Sequence, residues 1–144
     1  MEELEIKELK ELFDELGFLA HLTEIRFAKL ASHFEKKVYR KGEMIIRKDE
    51  YATTFYMISK GSAQVFVEEE NDDVKLVRTL WRKDFFGEVS LMTGGMRTAW
   101  VVATIDVEAF VLSQEDLGTY LMTVPEIAEI ILYTAKSRLI SAEE

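Results

Sequence analysis

From Phe34 to Leu112 the chain offers only short apolar runs, each stopped by a turn before a helix could form. Val38-Tyr39, Met44 to Ile46, Phe55 to Ile58, Ala63 to Val67, Leu76 to Trp81, Trp100 to Ala103 and Val107 to Leu112 are rich in β-branched and aromatic residues. Such side chains suit a pleated, half-buried surface and crowd the preceding turn of a helix. Between them lie Lys41-Gly42-Glu43, Lys48-Asp49-Glu50, Lys60-Gly61-Ser62 and an acidic tip from Glu68 to Asp73. The Lys60-Gly61-Ser62 break is a hairpin signal. About eight short strands at this spacing predict a small β-barrel or jelly roll.

Helical periodicity is confined to the two ends. Over residues 2–19, Ile6, Leu9, Phe13, Leu16 and Ala20 recur three or four apart, with Leu12 and Leu19 widening the stripe. The stripe predicts a helix packed on its own domain; a seam in a homodimer is the other use of such a face. Gly17 is the expected break. Thr23 is a natural N-cap for a second helix to about His33, with Ile25, Phe27, Ala28, Leu30 and Ala31 as apolar contacts. Ser113 is placed to cap a short helix ending at Leu121. Pro125 opens a longer one, because the first helical turn does not need its missing donor. The expected organisation is one domain: N-terminal helices over 1–33, a β-roll over 34–112 and C-terminal helices over 113–144.

Composition narrows the function classes. The net charge is −9, and residues 1–16 carry seven acids against two lysines, which argues against direct nucleic-acid binding. The chain has no cysteine, which excludes disulfides, thiol catalysis and cysteine-ligated clusters. His21 and His33 have no flanking ligand pattern, so no metal site is expected. No apolar run approaches the ~18 residues of a membrane span, and the N-terminus is acidic, so a cytoplasmic protein is the expectation. Gly94-Gly95 lacks the Lys-Ser/Thr of a phosphate loop, and no nucleophile–histidine signature is present. The chain reads as a binding module with no catalytic residues and no cofactor.

Residues 85–99, Phe-Phe-Gly-Glu-Val-Ser-Leu-Met-Thr-Gly-Gly-Met-Arg-Thr-Ala, carry the chemistry. Gly87 removes bulk where a ligand could approach the backbone. Glu88 opens a short helical stretch, predicting that the amides of Val89, Ser90 and Leu91 face an anion. Arg97 follows nine residues later, and Thr98 and Ala99 lead into a strand. Arginine grips phosphate through parallel hydrogen bonds, and an ionised Glu only accepts, as from a sugar hydroxyl. The plain alternative is a surface turn with a Glu–Arg ion pair.

These residues resemble the phosphate-binding cassette of cyclic-nucleotide-binding domains, a Phe-Gly-Glu, two residues, Leu, then Arg-Ser/Thr-Ala pattern. Phe86, Gly87, Glu88, Leu91, Arg97, Thr98 and Ala99 keep its spacing. The resemblance runs from about residue 20 to 138, through Tyr39, Lys41-Gly42-Glu43, Phe55-Tyr56, Gly61 and Val65. Asp49 and Lys83 depart from it, standing where the family often has Gly. The resemblance implies a mainly β fold, an eight-stranded β-roll or jelly-roll barrel with N-terminal helices, a short cassette helix and C-terminal lid helices. It implies a regulatory module in which Arg97 takes the cyclic phosphate, helped by the Ser90 and Thr98 region, and Glu88 takes the ribose 2′-hydroxyl. Leu80 would touch the base, and Arg138 would reach it from the lid. It favours cAMP over cGMP, although Thr98 suits a guanine amino group. The output would pass to a separate effector protein or to a domain of a longer protein. The alternatives are a ligand-free scaffold or dimerisation protein on the same fold, and a sensor of another small ligand.

Overall fold

The computed structural model describes residues 1–143, with side chains described through Leu139. Eight strands form two four-stranded antiparallel sheets. The first contains β1 (Glu35–Tyr39), β3 (Thr54–Lys60), β6 (Phe85–Phe86) and β8 (Val107–Ser113), in the order β1-β8-β3-β6. The second contains β2 (Met44–Ile46), β4 (Ala63–Glu68), β5 (Val74–Leu80) and β7 (Trp100–Ala103), in the order β2-β7-β4-β5. The expected β-roll is therefore present, with helices before and after it.

Strand β3 explains the layering. Five consecutive residues, Phe55 to Ser59, are buried, so no polar alternation shows in its sequence. Phe55 and Met57 join Phe110 and Leu112 of β8 in a core shared with the helices, whereas Tyr56 and Ile58 join Ala109 and Val111 inside the roll. Period-two alternation thus divides one apolar run between two cores. Each large side chain fully buried in this way contributes about 1.5–3 kcal/mol.

Helix α1 (Glu3–Glu15) buries Leu9, Leu12 and Phe13 against that outer core, so the stripe packs on its own domain. It ends four residues earlier than the stripe predicts. Gly17 sits at φ +80°, its amide donates to the Asp14 carbonyl, and the Phe18 amide donates to the Phe13 carbonyl. This left-handed cap turns the chain, and Phe13 meets Phe18 edge-on at 5.6 Å across it. Ile6 and Ala20 lie at the surface. Helix α2 (Glu24–Ala31) is capped by Thr23, whose Oγ1 accepts from the Arg26 amide at 3.2 Å. Ile25 and Ala28, expected as contacts, face outward because the roll lies only on the Phe27, Leu30 and Ala31 side.

The turns are strained where they position other parts. Asp49 and Lys83 adopt φ +72° and +82°, the left-handed geometry in which a side chain costs about 1–2 kcal/mol. Asp49 is nonetheless fixed, donating its amide to the Arg97 carbonyl at 2.9 Å while the Arg97 amide donates to Glu50. Gly61, at φ +91° between β3 and β4, is stricter: a Cβ there would lie 2.2 Å from the Asp106 carbonyl oxygen. Gly61→Ala should lose roughly 3 kcal/mol of stability. A urea midpoint unchanged from wild type would show that this packing is not what the turn requires.

At the far end, Ser113 caps α3 (Gln114–Asp116), its Oγ accepting from the Asp116 amide at 3.0 Å. A wide helical turn over Leu117–Leu121 continues it, and α4 (Pro125–Glu143) follows. Helix α4 lies against the cassette turn, burying Ile127, Ile131 and Ala135. No helix among the described residues is long and apolar enough to cross a membrane.

Candidate functional site

The site begins where β6 leaves the first sheet. Phe86 and Phe85 pair with Tyr56 and Met57 of β3, and the chain then turns through Gly87 at φ +93°. A Cβ at Gly87 would stand 2.8 Å from the Thr54 carbonyl oxygen and 3.2 Å from Arg97 Nη1. Glycine is needed because the backbone and the guanidinium close on that spot. Glu88 then starts a tight helical turn over Val89–Leu91. Leu91 does not offer its amide as expected, because a turn this tight closes on itself and the amide donates to the Glu88 carbonyl at 3.0 Å. The Val89 and Ser90 amides lie outside that turn's hydrogen bonds.

Arg97 is only 8% exposed. Its Nη1 donates to the Gly87 carbonyl at 2.9 Å and to Ser90 Oγ at 3.0 Å, and its Nη2 to the Thr54 carbonyl at 2.7 Å. Three of the five guanidinium hydrogens are thereby used, leaving Nε–H and one on Nη2. Burial lowers its pKa, and the nearby Tyr56 phenol and Glu88 carboxylate act against that shift. Gln114 braces the same frame, its Nε2 donating to the Thr54 and Gly87 carbonyls at 3.2 and 3.3 Å.

Glu88 is fully buried. Its Oε1 accepts from Arg138 Nη1 at 2.5 Å, and its Oε2 has no hydrogen-bond partner among the described residues. Arg138 also donates to the Phe85 carbonyl at 2.6 Å and lies over the Phe85 ring. The alternative of a simple Glu88–Arg97 pair is therefore not what forms: the carboxylate pairs with helix α4, fifty residues on. Arg97 has no ion-pair partner among the described residues.

All ten residues singled out in the sequence line one cavity: Leu80, Phe86, Gly87, Glu88, Val89, Ser90, Arg97, Thr98, Ala99 and Arg138. About 430 Å³ of empty space lies among these residues, part of it open solvent. Ile46, Val65, Arg78 and Val101 complete the lining and were not anticipated. Arg78 had a legible signal, since it stands two before Leu80 on the same strand and a period of two places both on one face. Gln114 had none, because its approach depends on how β8 ends beside the cassette. Among the described residues no cluster of His, Asp and Glu could hold a metal ion.

Comparison with known proteins bears on this arrangement directly. The family model for the cyclic nucleotide-binding domain matches residues 36–123. The chain is 28% identical over 127 residues to mouse cGMP-dependent protein kinase 2, covering 87% of this chain and 17% of the kinase. It is 32% identical over 123 residues to the cAMP-dependent protein kinase regulatory subunit of Aspergillus fumigatus, covering 85% of this chain and 29% of the subunit. Among solved structures, cAMP-bound PfPKA-R superposes with a TM-score of 0.74 at 26% identity, over 83% of this chain and 43% of that one. This chain thus spans less than a third of either curated relative and under half of that solved chain. With the family model matched over residues 36–123, more than half of the chain, the chain belongs to the cyclic nucleotide-binding domain family.

Proposed function

We propose that the chain is a receptor module for a 3′,5′-cyclic nucleotide, with its ligand held between the cassette and helix α4. The observation that carries this reading is a pair of unmet buried groups in one cavity. Arg97 has charge and spare donors without a carboxylate partner, and Glu88 has one unpartnered acceptor oxygen. Buried groups of this kind are costly unless a ligand completes them. A cyclic nucleotide brings a singly charged phosphate and an adjacent ribose 2′-hydroxyl, one for each.

In this reading Arg97 presents Nε–H and the free Nη2–H to the phosphate, with the Val89 and Ser90 amides alongside. Glu88 Oε2 accepts from the 2′-hydroxyl while Arg138 holds Oε1, so the carboxylate stays oriented. The same contact makes Arg138 a link from ligand to α4. It is a positioning residue on Glu88, in place of the base contact that the resemblance implies. A ligand that strengthens this arrangement shifts α4 toward its packed position by its differential affinity. The relatives are protein kinases and a kinase regulatory subunit, which supports a separate protein or domain as the recipient of that shift.

A thermal-shift titration with cAMP, cGMP and 5′-AMP tests the proposal. At a hundred times its Kd, a cyclic nucleotide should raise Tm by about 5–10 °C, while 5′-AMP does much less. No shift with either cyclic nucleotide would leave the fold serving as a scaffold.

A further inference from the structure

Two phenylalanines stand side by side in β6, and the pleat sends them opposite ways. Phe86 turns into the roll, stacks on Tyr56 with ring centres 4.6 Å apart, and lines the cavity. Phe85 turns to the outer core, where it is buried, and is not one of the residues lining the cavity. It nevertheless touches the group that holds Glu88. Arg138 Nη1 donates to the Phe85 carbonyl at 2.6 Å, and Arg138 Cζ lies 5.4 Å from the centre of the Phe85 ring.

The geometry gives that ring a definite task. Both hydrogens of Arg138 Nη1 are taken, one by the Phe85 carbonyl and the other by Glu88 Oε1. Two bonds on a single nitrogen leave the rest of the guanidinium to swing about it. The aromatic face stops the swing, because a guanidinium within about 6 Å of a ring centre is drawn to it. The ring itself is held in turn. Phe55 of β3 lies 5.6 Å from it between centres and Phe18, just beyond α1, lies 6.2 Å away, with planes inclined by 37° and 35°. Arg138 thus spans the Gly87 turn from a carbonyl on one side to a carboxylate on the other, with its plane set by a fixed ring.

We propose that Phe85 is a positioning residue for the ribose contact: its ring fixes the plane of Arg138, and Arg138 fixes the direction in which Glu88 presents Oε2. That oxygen is the one without a partner among the described residues. The inference rests on the cyclic-nucleotide reading above and adds the residue that sets selectivity for the 2′-hydroxyl. A hydrogen bond weakens steeply when its angle is lost. A loosened Arg138 therefore costs the ribose hydroxyl more than the phosphate, which Arg97 takes.

The test is calorimetric titration of the full chain with cAMP, cGMP and their 2′-deoxy analogues. It reads the ratio of ribo to deoxy affinity, which a general loss of folding leaves unchanged. Phe85→Leu keeps apolar bulk without the aromatic face, and should lower that ratio at least about threefold. Phe85→Tyr keeps the face and should hold the ratio within about twofold of wild type. Arg138→Lys keeps the charge but has no planar group to lie on the ring, and should lower the ratio as Phe85→Leu does. Adding Phe85→Leu to Arg138→Lys should lower it no further, since both act on one contact. An unchanged ratio in a folded Phe85→Leu would overturn the proposal. So would an equal fall in Phe85→Tyr or a further fall in the double variant, since each points to packing instead of the cation. An unchanged ratio in Arg138→Lys overturns it whether or not Phe85→Leu folds. A wild type that binds cyclic nucleotides without preferring ribose would overturn this inference and leave the cyclic-nucleotide reading standing. Binding of none of the four by a chain that circular dichroism shows to be folded would overturn both.

Discussion

Arg97→Ala is expected to weaken cyclic-nucleotide binding by roughly a hundredfold or more. The phosphate enters a cavity where Arg97 is the cation without an ion-pair partner at the cassette, and removing one member of a buried charge pair typically costs about 2–5 kcal/mol. Each 1.4 kcal/mol is about a factor of ten in Kd, which sets the magnitude. The truncation also strips donors from the Gly87 and Thr54 carbonyls and from Ser90 Oγ, so some loss of stability will accompany it. Arg97→Lys separates the two effects. It keeps the charge and the folded cassette but loses the planar fork, and its affinity should fall between wild type and Ala. Calorimetry on both variants, with thermal melts to verify folding, reads the outcome. Wild-type affinity in a folded Arg97→Ala would remove the phosphate from this end of the cavity.

The second large effect is selectivity for ribose. Wild type should bind a cyclic ribonucleotide at least about tenfold tighter than its 2′-deoxy analogue, since a hydrogen bond to a charged group contributes about 1.5–3 kcal/mol. Glu88→Ala should erase that ratio. Because Glu88 is also the partner of Arg138, the single variant leaves a half-buried cation unpaired and weakens α4 for an unrelated reason. The Glu88→Ala, Arg138→Ala double variant removes both members of the pair and should show the same loss of ratio on a better-folded background. Discrimination against the deoxy ligand that persists in the double variant would move the hydroxyl contact away from Glu88.

These expectations show which parts of the site were legible in advance. Glycine at 87, carboxylate at 88 and arginine at 97 follow one another within a short segment, so their spacing alone implies a turn with opposite charges around a helix start. The turn chemistry at Gly61 and the caps at Gly17, Thr23 and Ser113 were legible for the same reason, because each acts on backbone groups within a few residues. What the spacing could not show was the partner of Glu88. The obvious candidate was Arg97, nine residues on, and the actual one is Arg138 on α4. Nor did the stripe in α1 or the apolar residues of α2 reveal that Ile6 and Ile25 would be left at the surface, since burial depends on where the roll stands beside each helix.

The succession of strands, the helix limits set by caps and the kinds of groups brought to the cassette can all be read along the chain. Those follow from steric and hydrogen-bonding preferences that act over a few residues. Which long side chains meet depends instead on the packed fold. Arg138 reaches Glu88 across fifty residues of chain. Gln114 likewise meets Thr54 and Gly87 because β8 lies beside β3. Strand register and helix packing set those meetings, and both are properties of the assembled sheets rather than of any local run of residues.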